Sequence, residues 1–288
     1  MRARALTAML ALAVFVGWAA PDVHSDHRAS PSPLRTTSAS LVQGGVRPNL
    51  AQPRSSTVRG FVSQARRMAP PGGVSGGVRP PDCDVKRCVA LTYDDGPGLP
   101  TPRLLDILAR YRAPATFFLV GEMVKWRPST ARRTARAGHE VGVHTWDHSD
   151  LTTLSERQIT SQLTRTLDII RRVTGVRATL MRPPYGSTNR VVRRVARRLG
   201  LAEILWDVDT LDWRDRNATV VASRAIRNAH RNSIILMHDI RPTTVDAAAR
   251  IIRGLRHRGF TLVTVTELLG RTTPGVSYYR NGSQVVIR

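Results

Sequence analysis

Residues 89–97 read VALTYDDGP and begin the part of the sequence in which strand-like and helix-like segments alternate. The run 89–93 is apolar or β-branched, which is typical of a strand, and Asp94-Asp95-Gly96-Pro97 ends it with polar and turn-forming residues. Taken alone, an Asp-Asp-Gly-Pro sequence most often forms a turn or caps a helix. Its role in this chain depends on the residues at the ends of the other strands.

Beyond residue 88 the sequence alternates between strand-like and helix-like segments with short connections. The strands are predicted at 89–93, 115–120, 140–144, 179–182, 203–209, 233–238 and 261–265. The helices are predicted at 102–111, 129–137, 156–173, 189–199, 218–230 and 245–258. This alternation predicts an α/β fold with a mostly parallel sheet, which at this length closes into a barrel. No G-x-G-x-x-G follows the first strand, which disfavours a dinucleotide-binding fold.

Reactive side chains follow five of these strands. They lie in Asp94-Asp95, in His144 with His148, in Arg182-Pro183-Pro184-Tyr185, in Asp209-Thr210-Leu211-Asp212-Trp213 and in Leu236-Met237-His238. Each motif alone is common for structural reasons, and a bare H-x-x-x-H is often a surface coincidence. In a parallel barrel, however, the carboxyl ends of all strands share one rim, where active sites are found. The five motifs together therefore predict one catalytic site.

The residue types at this rim are those of a metal-dependent hydrolase. Asp95, His144 and His148 offer one carboxylate and two imidazoles, which is the ligand count of catalytic zinc. Such a site keeps positions open for water and for a substrate carbonyl oxygen. Asp94 stands next to a metal ligand and could take a proton from that water.

Three further residues complete the predicted acid–base chemistry. Arg182 could pair with Asp94 and keep it ionised, because a nearby positive charge favours the carboxylate. His238 would be the general acid for the leaving group. Asp209 could raise the pKa of His238 and fix its tautomer.

The five motifs, in this order, resemble those of the polysaccharide deacetylases of carbohydrate esterase family 4, the NodB-homology domain. The resemblance spans about residues 85–269 and implies a distorted (β/α) barrel of about seven parallel strands. It also implies metal-dependent removal of N-acetyl, and sometimes O-acetyl, groups from chitin, peptidoglycan or xylan. Tyr93 departs conservatively from the family, which usually has Phe at this position.

Position by position, the resemblance implies a role for each motif residue. The expected catalytic residues are Asp94, Arg182, His238 and Asp209, the metal ligands Asp95, His144 and His148, and the substrate-binding residues Pro184, Tyr185, Asp212, Trp213 and Leu236. The metal is expected to be Zn²⁺, with Co²⁺ as the alternative. Tyr185 would offer its backbone N–H to the oxyanion, while Trp213 and Leu236 would form an apolar wall against the acetyl methyl group. Asp209 and Asp212 are alternatives for the support of His238, and Asp209 is nearer the predicted strand end.

The predicted function is removal of N-acetyl groups from an extracellular glycan, with peptidoglycan favoured over chitin oligomers. Two alternatives stay open. One is an O-acetyl esterase that acts on an acetylxylan-type glycan, and the other is a non-catalytic protein that binds the cell wall.

The first 20 residues have the layout of a signal peptide. Arg2 and Arg4 precede an apolar run of about 16 residues, whereas about 20 are needed to cross a bilayer comfortably. Gly17 and Ala19 supply small residues for a cleavage site. We therefore expect a secreted or cell-envelope-associated protein, with membrane contact only through a retained N-terminal anchor.

Composition divides the rest of the chain. Residues 21–81 are rich in Pro, Gly, Ser and Arg and predict a flexible basic tether. The catalytic domain is predicted at 82–270 and a C-terminal tail at 271–288. The two cysteines, Cys83 and Cys88, are predicted to form a small disulfide loop at the entry to the domain.

The net charge is strongly positive. There are 44 Lys and Arg against 21 Asp and Glu, a formal net charge of +23, and such a surface attracts polyanions. For an exported protein, anionic cell-wall polymers are the expected partners. Nucleic acid is not expected, because the sequence lacks the interleaved aromatic and basic residues of RNA-recognition modules. With 41% hydrophobic and 23% charged residues, a multi-span membrane protein and a wholly disordered chain are excluded.

Overall fold

The computed structural model describes residues 81–280 and 283–285. The predicted signal segment and the predicted tether up to residue 80 lie outside the described residues. Within the described ranges, no helix combines the length and the apolar character that crossing a membrane requires.

Strands and helices alternate along the chain, as the sequence predicts. The strands are β1 Cys88–Asp94, β2 Thr116–Leu119, β3 Glu140–Val143, β4 Leu180–Met181, β5 Ala202–Ile204, β6 Val208–Asp209, β7 Ser233–His238, β8 Thr261–Val263, β9 Ser277–Arg280 and β10 Ser283–Val285. The helices are α1 Thr101–Arg110, α2 Gly121–Trp126, α3 Pro128–Arg136, α4 Glu156–Thr174, α5 Arg190–Arg198, α6 Asp212–Asp215, α7 Ala218–Asn228, α8 Pro242–His257 and α9 Val265–Leu269. Short 3₁₀ turns lie at Leu151–Thr153 and Pro184–Gly186.

The sheet curls around β1. Its order is β10-β9-β5-β4-β3-β2-β1-β7-β6, and β8 pairs with the first half of β1. The pairs that β1 to β8 form with one another are all parallel, which confirms the predicted α/β fold. β9 lies parallel to β5 and also meets β7 through the bridge between Ser233 and Arg280. The distorted barrel is thus closed at the start of β7 by a single antiparallel bridge.

β1 is buried along its whole length, because helices cover one face and the barrel interior lies on the other. Val89 and Leu91 pack in the larger core, which also contains residues of α1 and α8. Cys88 and Ala90 pack in a smaller core built mainly from other strands. The alternation of side chains along a strand therefore assigns every second residue of β1 to the interior.

The predicted strand 203–209 is corrected by the structure, because it forms two strands. The chain leaves the sheet after Ile204 and pairs with β7 only from Val208. Between them, the carboxylate of Asp207 accepts hydrogen bonds from the Ile234 N–H at 2.7 Å and from the Ser233 hydroxyl at 3.0 Å. The Asp207 N–H also donates to the Ile234 oxygen at 3.3 Å, so backbone and side chain of this one residue hold the segment between β5 and β6 against β7.

The predicted C-terminal tail contributes to the sheet. Ser277 and Tyr278 of β9 are buried, and the Ser277 hydroxyl donates a hydrogen bond to the buried Glu203 at 2.5 Å. The Tyr278 hydroxyl accepts a hydrogen bond from the Thr273 N–H at 2.9 Å. The ordered domain therefore extends at least to residue 280, past the predicted boundary at 270.

Local interactions fix both ends of α4, and the predicted disulfide is confirmed. Ser155 and Gln158 form a reciprocal capping box at the start of α4, and α4 ends at Gly175 with the left-handed φ of 79°. Cys83 and Cys88 form a disulfide bond with a Cα–Cα distance of 5.4 Å. The bond joins the segment that enters the domain to the first residue of β1.

Replacing Tyr278 by Ala tests whether β9 belongs to the core. We expect Tyr278→Ala to lower the free energy of unfolding by about 3 kcal/mol, because it removes a buried aromatic ring. Tyr279→Ala is the matched control, because Tyr279 lies beside it in the same strand and its side chain points to the other face. Urea unfolding measures both values. A small loss in Tyr278→Ala, no larger than that in the control, would show that β9 adds nothing to the fold.

Candidate active site

Side chains alternate between the two faces of each strand, and this alternation places the motif residues at the mouth of the barrel. Ala90 packs in the interior core, so Asp94, four residues later, lies on the same face. Leu180 also packs in the interior, and Arg182 follows it by two residues. His238 ends β7, where it pairs in register with Asp94. Residues far apart in the sequence therefore meet at one end of the sheet.

Arg182 and Asp94 form a buried ion pair. The Nη1 atom of Arg182 donates to Asp94 Oδ1 at 2.8 Å and to the Thr92 hydroxyl at 2.8 Å. Its Nε and Nη2 atoms donate to the backbone oxygens of Ile204 and Leu205, each at 3.0 Å. Arg182 is fully buried and Asp94 is 2% exposed. The guanidinium thus holds one carboxylate oxygen of Asp94 in place.

Asp95, His144 and His148 form a cluster that could hold a metal ion. One ligand atom from each lies within 4.8 Å of the other two. Asp95 Oδ1 lies 3.4 Å from His144 Nε2 and 3.2 Å from His148 Nε2, yet this buried oxygen has no hydrogen bond of good geometry. Three ligand atoms that face one point and lack hydrogen bonds fit a divalent cation.

The neighbours of the cluster keep its ligand atoms in the form that binds a metal. His144 Nδ1 lies 2.7 Å from the backbone oxygen of Arg182, which leaves Nε2 free to act as a ligand. Burial alone would raise the pKa of Asp95, but the imidazoles of His144 and His148 hold that pKa well below its ordinary range. The carboxylate is therefore available in its ionised, ligating form.

A tight turn places Asp95 beside the barrel mouth. Asp95 has a φ of 74°, in the left-handed region that non-glycine residues seldom adopt. At the next position only glycine fits, because a Cβ on Gly96 would lie 2.1 Å from the Oδ2 atom of the buried Asp239. The Asp-Asp-Gly-Pro sequence thus forms a turn, as its composition predicts, and this turn positions Asp95 in the site.

His238 is supported by Asp212. Asp212 Oδ1 lies 2.7 Å from His238 Nδ1, and Asp212 Oδ2 accepts from the His238 N–H at 2.8 Å and from the Thr244 hydroxyl at 2.6 Å. Asp212 is fully buried. Burial alone would lower the pKa of His238, but the hydrogen bond and the charge of Asp212, together with Asp94 and Asp95, raise it to about 9.

Of the two alternatives for the support of His238, the structure therefore shows Asp212 in contact with the imidazole, and Asp209 does not have that role. Asp209 Oδ1 instead accepts a hydrogen bond from the Leu211 N–H at 2.7 Å. Leu211 has a left-handed φ of 54°, and this turn brings Asp212 behind His238. Nearness to the strand end misled the prediction, because the sequence does not reveal which way the chain turns after β6.

A pocket of about 420 Å³ surrounds these groups. It is lined by Asp94, Asp95, His144, His148, Tyr185, Trp206, Asp209, Trp213, Leu236, His238 and Arg241. The ring of Tyr185 lies edge-on to His148, with 4.9 Å between the ring centroids. Tyr185 and Trp213 are 69% and 45% exposed, so both are accessible to a ligand.

Two predicted substrate-binding residues do not line this pocket. Pro184 is buried in the 3₁₀ turn that carries Tyr185, and Asp212 is covered by His238 and Thr244. Two lining residues, Trp206 and Arg241, were missed by the sequence prediction. Arg241 follows the end of β7 by three residues, so a search extended past the strand ends would have found it. Trp206 lies inside the predicted strand 203–209, so the same search would have missed it.

Known proteins are similar to this chain in sequence and in fold. The family model for polysaccharide deacetylase matches residues 82–204. The solved structure of T48 deacetylase with substrate is 41% identical to this chain, with a TM-score of 0.66. The match covers 68% of this chain and 98% of that one.

The chain belongs to the polysaccharide deacetylase family.

Two relatives in this family have named substrates. Peptidoglycan-N-acetylmuramic acid deacetylase PdaC of Bacillus subtilis is 42% identical over 184 residues, 64% of this chain and 39% of that protein. Peptidoglycan-N-acetylglucosamine deacetylase PgdA of Listeria monocytogenes is 40% identical over 191 residues, 66% of this chain and 40% of that protein. This polysaccharide deacetylase chain thus spans about two fifths of the length of both relatives.

The His238–Asp212 contact can be tested by titration. We expect Asp212→Asn to lower the pKa of His238 from about 9 towards the ordinary value of 6.5, because it removes the negative charge beside Nδ1. NMR titration of the His238 ring in chelator-treated protein measures this pKa. Asp209→Asn is the matched control and should leave the value near 9. A drop in the Asp209 variant alone would contradict the observed pairing.

Proposed function

We propose that this protein is a metal-dependent hydrolase that removes N-acetyl groups from an N-acetylated glycan of the cell envelope, with peptidoglycan as its main substrate. The observation that carries the proposal is the meeting of a buried acid, a metal-capable cluster and a supported imidazole in one pocket. The names of PdaC and PgdA, both peptidoglycan deacetylases, favour this substrate over chitin.

Asp95, His144 and His148 would hold the metal, and a set of two nitrogens and one oxygen suits Zn²⁺, with Co²⁺ as a substitute. When bound there, a divalent cation supplies a Lewis acid that polarises the acetyl carbonyl and lowers the pKa of a water molecule. The remaining chemistry falls to the side chains around it.

Asp94 would act as the general base. Arg182 binds its Oδ1 atom, so Oδ2 is left to accept the proton of the attacking water. As water adds to the acetyl carbon, negative charge develops on the carbonyl oxygen, and the backbone N–H of Tyr185 would donate a hydrogen bond to it. One such donor is typically worth about 3 kcal/mol.

His238 would act as the general acid. Cleavage of the carbon–nitrogen bond requires a proton on the nitrogen, because an amide anion is a very poor leaving group. Asp212 favours the protonated imidazolium and fixes Nδ1, so Nε2 would donate that proton. The products are acetate and a glycan amine. Leu236 and Trp213 would contact the acetyl methyl group as the apolar part of the pocket.

The cellular location is part of the proposal. The signal-peptide layout of residues 1–20 supports export, and a net charge of +23 supports retention at an anionic envelope. An exported deacetylase would meet its polymeric substrate outside the cytoplasm.

The roles of base and ligand can be separated by two substitutions. We expect Asp94→Asn to lower kcat at least about 10²-fold while metal is retained, because the general base is lost but the ligands remain. His144→Ala should lose both activity and metal. Acetate release and metal content after dialysis against Zn²⁺ measure the two properties. His257→Ala, which removes an exposed histidine of α8, is the control and should keep both. Near-normal activity of Asp94→Asn would show that the base is misassigned.

The reaction itself is tested by acetate release. Purified peptidoglycan, N-acetylglucosamine oligomers and acetylxylan are each incubated with the full-length protein, with chelator and with chelator followed by Zn²⁺. We expect release from peptidoglycan that chelator abolishes and Zn²⁺ restores. Release from acetylxylan alone would instead identify an O-acetyl esterase. Binding to peptidoglycan without release at any metal loading would identify a non-catalytic wall-binding protein.

A further inference from the structure

Arg241 lines the catalytic pocket but has no part in the proposed acid–base chemistry. It lies between the end of β7 at His238 and the start of α8 at Pro242. Its backbone N–H donates to the His238 oxygen at 3.3 Å, and its backbone oxygen accepts from the Thr244 N–H at 3.1 Å. The backbone of Arg241 is therefore fixed to the same network that positions the proposed general acid.

The side chain of Arg241 lacks a partner within the described part of the protein. Its Nε atom is buried without a hydrogen bond, and no carboxylate of residues 81–280 lies within ion-pair distance of its guanidinium. Arg182, by contrast, is fully buried and has acceptors for all three of its nitrogen atoms. The buried Nε atom lacks an acceptor, which is unfavourable, and the remainder of this half-buried guanidinium is left to solvent or to a ligand in the pocket. Arg241 is thus prepared for a ligand, whereas Arg182 is not.

The pocket otherwise disfavours an anionic ligand. Three carboxylates, those of Asp94, Asp95 and Asp209, line it, and Arg241 is the one arginine among its lining residues in the described part of the chain. A guanidinium binds a carboxylate through two parallel hydrogen bonds, a geometry that a neutral sugar hydroxyl cannot match. The ligand group that best satisfies Arg241 is therefore a carboxylate.

Peptidoglycan provides such a group on only one of its two alternating sugars. N-acetylmuramic acid carries a 3-O-lactyl substituent that ends in a carboxylate or continues into a peptide with carboxylates of its own, whereas N-acetylglucosamine is neutral. We propose that Arg241 binds a carboxylate of this 3-O-lactyl arm and thereby selects N-acetylmuramic acid residues for the pocket. This assignment rests on the proposed deacetylation and adds the choice of sugar to it.

A set of matched tetrasaccharides tests the assignment. They alternate the two sugars and differ only in the lactyl arm, which is a free carboxylate, its neutral methylamide or the attached peptide. Wild-type kcat/KM should be about tenfold higher for the free carboxylate or for the peptide form than for the methylamide, mainly through KM. Which of the two charged forms shows the preference identifies the source of the carboxylate.

Substitution of Arg241 should abolish that preference. We expect Arg241→Gln to bring the ratio of kcat/KM between charged and neutral arms close to one, and Arg241→Lys to restore part of it. Arg250→Gln, which removes an exposed charge from the adjoining helix α8, is the control for net charge and should keep the wild-type ratio. An unchanged ratio in Arg241→Gln, or an equal loss on every tetrasaccharide, would overturn the assignment.

Equilibrium binding separates this assignment from the proposed reaction. The Asp94→Asn protein, with and without Arg241→Gln, is titrated with the charged and the methylamide tetrasaccharides. Loss of Arg241 should weaken binding of a charged form about tenfold more than that of the methylamide. Equal effects on both would overturn the assignment even if acetate release is confirmed. Absence of acetate release by the wild type would overturn only the reaction.

Discussion

The buried guanidinium of Arg182 is the group on which the site depends. Its charge would be very costly inside the sheet without compensation, and it is stable there because Asp94 and three further acceptors from β1 and the end of β5 surround it. Breaking a buried ion pair by removing one partner costs about 3–5 kcal/mol. The pair therefore ties β1, β4 and the end of β5 together and fixes one carboxylate at the mouth of the barrel.

Three aspartates of the site differ in chemistry because their partners differ. Asp94 pairs with the guanidinium of Arg182, and Asp95 faces the imidazoles of His144 and His148. Asp212 contacts a third imidazole, that of His238. One side-chain type can thus serve as proposed base, metal ligand and support for an acid within a single pocket. The environment of each carboxylate, rather than its identity, determines what it can do.

The period of two along each strand explains why so much could be predicted. Apolar runs located the strands, and polar residues at their carboxyl ends located the rim, because parallel strands place those ends together. The motifs at 94–95, 144–148, 182–185 and 238 follow this rule, and each contributes to the pocket or to the ion pair beneath it. Only local patterns and the direction of the strands are needed for that part of the prediction.

The sequence by itself determined the alternation of strands and helices, the disulfide and the set of reactive residues. Tertiary structure alone decided that Asp212 rather than Asp209 supports His238, that β9 completes the sheet, and that Arg241 lines the pocket without a partner among the described residues. These features depend on how a turn or a loop is directed against distant parts of the chain. Such contacts are set by packing and by the need to satisfy buried polar groups, neither of which has a local period in the sequence.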